Sequence, residues 1–433
     1  MSLGLEGDGV CRVGYRDMKL SKFGEKFSRR AGITQLMDDL GAAMAGGDMR
    51  VLGGGNPAHI PEVQAHFRRR MEDILSEESR FESMIGNYDG SRGNAAFIEA
   101  LADMLRETFG WDVGPGNIAL TNGSQSAFFC LFNLFAGDMP DGSKKKILFP
   151  LTPEYIGYAD VGLTDDFFAA RRPSIELLDD GLYKYHVDFQ SLDIGEDIGA
   201  ICVSRPTNPT GNVLTDEEMR HLDALAQDNG IPFIIDNAYG TPFPDIIYTE
   251  AQPLWNPNTV VCMSLSKFGL PNLRTGIVIA REEIASAIAD INGVMHLAPG
   301  GIGACMAIEL VRSGDIVRVS RDIVQPFYRR KAFQALEWFR EELGDLPCRI
   351  HKPEGAIFLW LWFKELPCTS EQLYERLKAR NTLIIPGHHF FPGLEKECWQ
   401  HKHECIRVTY AQNEAIVHEG IKVIADEVAE LYG

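Results

Sequence analysis

The chain has no apolar run approaching the roughly 18 residues that a membrane-spanning helix needs. Its longest obvious one, AIFLWLWF at Ala356–Phe363, has the length of a buried strand. The N-terminus, MSLGLEGDGVCRVGYRD, lacks the charged-then-apolar layout of a secretory leader. Met18 is expected to be the natural start, with residues 1–17 a loose tail or an expression remnant. Basic residues are in short supply: 42 Lys and Arg stand against 61 Asp and Glu, a net charge of −19. Such a balance argues against nucleic-acid and anionic-membrane partners and favours the handling of small molecules. The nine cysteines form no C-x-x-C pair, a usage that fits reduced, buried thiols and a cytoplasmic location rather than a disulfide framework. A G-x-x-x-x-G-K-[ST] phosphate loop is absent too, which removes the common nucleotide hydrolases. Internal repeats, low-complexity tracts and long linkers are also lacking.

What is present is an alternation of short β-branched runs with amphipathic helical patterns. Asn117–Thr121, Lys145–Pro150, Gly199–Arg205, Pro232–Asp236 and Val260–Ser266 carry little polar alternation, as strands buried on both faces do. Between them, TDEEMRHLDALAQDNG opens on a Thr215 cap with early acids and stops at Gly230. The repeated order strand then helix predicts an α/β fold with a mostly parallel central sheet. The helical pattern from Gly300 to about Leu343 is long, with Pro326 as its expected break. Strand-like and helical pieces in looser order follow it, so a smaller α+β domain is expected there. The predicted division is 18–50 for the N-terminal part of the small domain, 51–320 for the large domain and 321–433 for the rest of the small one.

Several motifs suggest chemistry that their surroundings do not support. Gly53–Ala58 matches G-x-G-x-x-A, but Pro57 and Pro61 interrupt the helix start that a dinucleotide site requires. A glycine-rich turn at a substrate mouth fits better. Ser264–Lys267 matches S-x-x-K without the S-D-N and K-T-G companions of the acyl-serine enzymes. Cys398, His401, His403 and Cys405, with His388 and His389 upstream, have no usual zinc spacing and read as a polar loop with incidental thiols; no metal is expected.

Three polar residues stand at or just beyond the ends of successive apolar strands: Asn208 in SRPTNPTGN, Asp236 closing PFIID, and Lys267 after VVCMSLS. In an open parallel sheet those ends meet at the ligand crevice. One buried Asp or Lys could be a structural hydrogen-bonding group; three together call for a site. N-P-T-G, D-N-A-Y and S-L-S-K followed by R-x-G resemble the fold-type I, class I/II pyridoxal-phosphate aminotransferases. The spacings of 28 residues from Asn208 to Asp236 and 31 from Asp236 to Lys267 suit one intervening helix each. The resemblance extends over nearly the whole chain from about Lys19, through LGGGNP, NYDG, TNGSQSAFF, PEYIGYAD and KPEGAIFLWLWFK. One departure is Arg274, seven residues after the lysine where eight is usual, so the turn between them must be tighter.

The resemblance implies a pyridoxal 5'-phosphate cofactor and a role for each residue. Lys267 would join the cofactor as an aldimine and move the proton, its amine neutralised by burial and a neighbouring cation. Asp236 would pair with the pyridine nitrogen, while Asn208 and Tyr239 would bond the ring's phenolic oxygen. Gly123, Ser124 and Gln125 at a helix start, with Ser264 and Arg274, would cradle the phosphate. Tyr155 would stack on the ring. Arg407 would clamp the substrate α-carboxylate opposite a backbone amide of Gly54 or Gly55. Tyr88 would reach the phosphate of a neighbouring subunit in a homodimer with shared sites. The implied exchange is between small aliphatic amino acids and 2-oxo acids, valine plus pyruvate giving 2-oxoisovalerate plus alanine. Other activities on the same scaffold are a pyridoxal-phosphate lyase, another aliphatic or aromatic aminotransferase and, last, a non-catalytic regulator.

Overall fold

The computed structural model describes residues 19–28, 41 and 49–433. Residues 1–17 and most of 18–50 therefore lie outside the described residues. The large sheet runs in the order Ile118–Asn122, Thr275–Ile279, Thr259–Ser264, Phe233–Asp236, Ile198–Ser204, Lys144–Phe149 and Gly137–Asp138, with Phe168–Ala170 also paired to Lys144–Phe149. Its four central strands are mutually parallel; Thr275–Ile279 and the short Gly137–Asp138 run against their neighbours. Ile198–Ser204 and Thr259–Ser264 are buried at every position. That is why these segments read as unbroken apolar runs rather than alternating ones. Asp216–Asp228 crosses between two parallel strands and begins with a full capping box: Glu218 N–H donates to Thr215 Oγ1 at 3.1 Å, and Thr215 N–H donates to Glu218 Oε2 at 2.7 Å.

A second, six-stranded sheet has the order Ile385–Pro386, Cys405–Thr409, Phe358–Phe363, Cys348–His351, Leu182–His186 and Ser174–Leu177. The long helices Gln325–Leu343 and Glu414–Tyr432 pack together beside it. Two of its strands come from within 51–320, so the expected boundary at 321 is crossed by the hairpin Ser174–His186. The hairpin's own pairing is between neighbours in sequence, whereas the parallel pairing of Leu182 with Ile350 and of Tyr183 with His351 that assigns it to this sheet spans a long stretch of chain. The long helical pattern also divides earlier than Pro326. It breaks at Gly314, which is left-handed with φ 72°, and passes through a π-turn at Ser320–Val324 before Pro326 enters the first turn of a new helix. Among the described residues, no helix is long and apolar enough to cross a membrane.

The register aligns Ser204 with Asp236 and Asp236 with Cys262. Three chain segments therefore leave the large sheet at one level, and Arg407 of the small sheet's Cys405–Thr409 strand meets the first of them at Asn208. The loop that carries Asn208 turns at Gly211, whose φ is +71° and whose missing Cβ leaves room for Gly355 O, 2.6 Å from where that Cβ would stand. Gly211→Ala should therefore combine left-handed backbone strain with a clash, costing about 2 kcal/mol or more. The expected outcome is a lower urea midpoint, and an unchanged midpoint would show that the loop relaxes freely.

Candidate active site

Asp236, Asn208 and Lys267 meet in one cleft with Gly55, Ser124, Gln125, Tyr155, Tyr239, Ser264 and Arg274. The parallel register brings the first three there; the others arrive from neighbouring elements. Arg274 owes its place to an antiparallel pairing, because Thr275 is opposite Asn122 and Gly276 opposite Thr121. This sets the guanidinium over the N-terminus of the helix Ser124–Phe135. The shortened interval from Lys267 is absorbed by Gly269 at φ 121°, a 3-10 turn at Pro271–Leu273 and Arg274 itself in the left-handed region at φ 50°.

The helix N-terminus is kept open by two glycines. A Cβ on Gly123, whose φ is +83°, would lie 2.0 Å from Arg274 Nη2, and one on Gly276 would lie 2.7 Å from Ser124 N. Ser266 Oγ accepts from Arg274 Nη1 at 3.4 Å, and Ser264 Oγ accepts from Ser266 N–H at 3.0 Å. Among the described residues Arg274 forms no ion pair; its other partner is the Pro271 carbonyl oxygen at 3.0 Å. An unpaired guanidinium, two serine hydroxyls and a helix N-terminus suit a phosphate dianion.

Lys267 Nζ donates to Gly55 O at 2.6 Å and sits 5.3 Å from the centre of the Tyr239 ring. Burial and the charges of Arg407 and Arg274 pull its ammonium down to about 8, while Asp236 acts in the opposite sense. Asp236 is buried, accepts from Tyr158 Oη at 2.5 Å and from Ala238 N–H at 3.0 Å. Burial pushes its carboxyl up to about 6, against the pull of the Tyr158 bond. Tyr155 borders the same space, with its ring edge-on to Tyr158 at 5.3 Å. Gln125 fixes that wall by donating through Nε2 to Gly157 O at 2.7 Å.

Arg407, on Cys405–Thr409, reaches across from the small sheet. It donates to Asn208 Oδ1 at 2.6 Å and to Gly53 O at 2.7 Å, with Phe358 and Phe390 rings 4.0 and 5.1 Å from its guanidinium carbon. Among the described residues its Nε is buried without a hydrogen-bond partner. On the glycine loop it is the carbonyl oxygens of Gly53 and Gly55 that engage Arg407 and Lys267, and Gly54 stands between them. Tyr88 is not brought into this cleft; it is 87% exposed. In the His/Cys segment, His401 meets Tyr185 Oη at 2.5 Å in the core, Cys405 is buried in its strand and Cys398 is exposed. Sequence reasoning missed Glu154, Tyr158, Ser204, Ser266 and Tyr328 as site residues. Tyr328 Oη accepts from Ala58 N–H at 2.7 Å and pins the glycine loop to the long helix.

The arrangement holds an amine of lowered basicity between two guanidinium sites, with an acid at the far wall. The family profile described as "Aminotransferase class I and II" matches residues 62–424. The chain is 56% identical over 411 residues to the valine–pyruvate aminotransferase of Escherichia coli K12, covering 95% of this chain and 98% of that protein. The crystal structure of valine–pyruvate aminotransferase from Salmonella typhimurium LT2 superposes with a TM-score of 0.86 at 54% identity, covering 93% of this chain and 99% of that one. The fold is shared with an α-aminoadipate aminotransferase from Thermus thermophilus, TM-score 0.75 at 20% identity over 95% and 98% of the two chains, described as complexed with N-(5'-phosphopyridoxyl)-L-leucine. The chain belongs to the class I and II aminotransferases, a fold-type I family that depends on pyridoxal 5'-phosphate.

The residues present fit that cofactor by their own chemistry: an anion cradle, a primary amine and a buried carboxylate line one cleft. The lysine's reduced basicity can be measured directly. In cofactor-free protein, labelling of Lys267 by an amine-selective reagent should rise with pH through a midpoint near 8. Arg407→Gln removes a repelling cation and should move the midpoint up; Asp236→Asn removes an attracting anion and should move it down. A midpoint at the ordinary lysine value would contradict this electrostatic picture.

Proposed function

We propose that this chain transfers the amino group between valine and pyruvate, giving 2-oxoisovalerate and alanine. The observation that carries the reading is that Lys267 feels the charges of both Arg274 and Arg407, two guanidinium groups that suit a phosphate and an amino-acid carboxylate near one amine. The choice of valine and pyruvate is supported by the 56% identical relative.

Arg274, Ser264, Ser266 and the Gly123–Gln125 helix start would hold the cofactor's phosphate, Asp236 its ring nitrogen, Asn208 and Tyr239 its phenolic oxygen, and Tyr155 one ring face. Bound there, pyridoxal phosphate supplies an electron sink for the pair left when the substrate's Cα proton departs. Asp236 holds positive charge on its side of the cleft, because a buried carboxylate is best stabilised by a cation. Lys267 Nζ takes the Cα proton and returns it, a task suited to an amine whose basicity has been drawn toward neutral pH. Arg407 binds the α-carboxylate, exchanging neutral oxygen acceptors for a charged one, which is the stronger bond. Phe358 and Phe390 keep water away from that ion pair.

The direct test is a matrix of amino donors and keto acceptors on the purified protein. Valine with pyruvate should lead, and neighbouring aliphatic donors should follow at roughly 10–200-fold disadvantage per methylene. Arg407→Gln should raise KM for every donor, since the carboxylate is common to all. Aspartate or an aromatic donor well ahead of valine would overturn the substrate reading, and a defect confined to one side-chain class would move Arg407 to the side-chain pocket.

The reading includes a cytoplasmic homodimer in which Tyr88 bonds the partner's phosphate. Its exposure in one protomer accords with that, because a residue that completes another subunit's site is bare until the subunits meet. Tyr88→Asp should weaken cofactor retention, and Lys267→Ala should abolish the chemistry. Refolded together, the two inactive variants would form about half hybrids, each with one native site, and recover about one quarter of wild-type activity. No recovery in tag-verified hybrids would confine Tyr88 to its own chain.

A further inference from the structure

Behind Asp236 lies a carboxyl group that the mechanism does not use. Glu154 is 1% exposed, and among the described residues it forms no ion pair. Its Oε1 accepts from Ser204 N–H at 2.9 Å, and its Oε2 lies 2.5 Å from Ser204 Oγ and 3.3 Å from Tyr155 N. Ser204 Oγ is 3.5 Å from Tyr158 Oη, which is 2.5 Å from Asp236 Oδ2. All four side chains are buried. Two carboxyl groups are thus joined through two hydroxyls.

Counting hydrogens fixes the direction of this relay. Tyr158 has one hydroxyl hydrogen, and Asp236, as an anion, takes it. Ser204 also has one. If Glu154 were ionised, Ser204 would have to donate to it, leaving two hydroxyl oxygens face to face with no hydrogen between them. A second buried anion without its own cation would remain as well, which burial strongly disfavours. If Glu154 keeps its proton, every contact has one donor and one acceptor.

We infer that Glu154 is carried as the neutral acid and is a positioning residue: it donates to Ser204 Oγ, Ser204 to Tyr158 Oη and Tyr158 to Asp236, a one-way relay that holds Asp236 as an oriented anion. Hydrogen bonds in such a chain reinforce one another. Burial pushes the Glu154 carboxyl up to about 8; the Ser204 bonds oppose this and the Asp236 charge adds to it. The titratable groups facing it are Asp236, Tyr158 and Cys202. Tyr158 and Cys202 are themselves held neutral by burial, so Asp236 keeps the one negative charge.

The inference rests on Asp236 serving the cofactor's ring nitrogen, as proposed above, and its test separates the two. Infrared spectra of the holoenzyme at pH 7 should show a protonated-carboxyl stretch that is missing in Glu154→Gln and fades in the wild type through a midpoint near 8. Glu154→Gln, whose amide N–H can still donate to Ser204, should keep kcat within about threefold. Tyr158→Phe and Glu154→Leu should lower kcat about tenfold with KM for valine little changed. Absence of the band, or a Gln variant as damaged as the Leu variant, overturns the relay. Should Glu154→Leu fail to fold, the band and Tyr158→Phe still decide. A wild type that shows the band but transfers no amino group would refute the proposed function and leave the relay standing.

Discussion

Arg407 bonding Asn208 at 2.6 Å is the contact on which the site depends, because it is where the two sheets meet as chemistry. Neither sheet alone makes a binding place. The large one supplies the anion cradle, the amine and the acid; the small one supplies the second guanidinium. A buried guanidinium is tolerated only when its donors are engaged. Here two donors meet neutral oxygens, one on each side of the cleft, and the flanking Phe358 and Phe390 rings face its charge. Among the described residues Nε has no hydrogen-bond partner. Arg407 is thereby held in place yet incompletely satisfied, which suits the carboxylate-binding role proposed for it.

The junction is braced from behind. Lys184, on the small sheet's hairpin, is buried against Glu354 and also donates to Asn212 Oδ1 and Val213 O, both at 3.0 Å. Asn212 and Val213 follow the N-P-T-G turn, so the ion pair ties the loop that carries Asn208 to the small sheet. Breaking such a pair costs more than forming it gains, since it strands a buried charge. That explains why a hairpin from the middle of the chain joins the far sheet: it carries the lysine that the loop needs.

Much of this was legible because burial writes a strong pattern. The central strands are covered on both faces, so their apolar runs stand out, and the polar residues that end them stand out by contrast. Asn208, Asp236 and Lys267 can be found that way. The short interval from Lys267 to Arg274 also predicts a tight turn, and the left-handed Arg274 supplies it. Other features are set by partners distant in sequence. Tyr158 lies 78 positions from Asp236, and Glu154 lies 50 from Ser204. Nothing local distinguishes them from ordinary core residues. The sheet that the hairpin Ser174–His186 joins is hidden for the same reason. The break at Gly314 is masked because an apolar period continues across it, although glycine at a helix end is a readable signal.

The cleft's charge has the opposite sign to the molecule's. At −19 the chain as a whole repels anions, yet both expected ligands are anionic. Distance resolves the conflict. Surface charges more than about 8 Å away are largely screened at physiological salt. A cation about 4 Å from a ligand atom, at the effective dielectric of a protein surface, contributes about 4 kcal/mol before desolvation. Lys267, Arg274 and Arg407 therefore control the potential inside the cleft, and Asp236 offsets them in part. The same proximity suits Lys267 to the proposed role of base: burial first, and then the two guanidinium groups, lower the amine's hold on its proton. In the proposed reading, ligand recognition and proton transfer are therefore coupled, and changing either arginine should alter both.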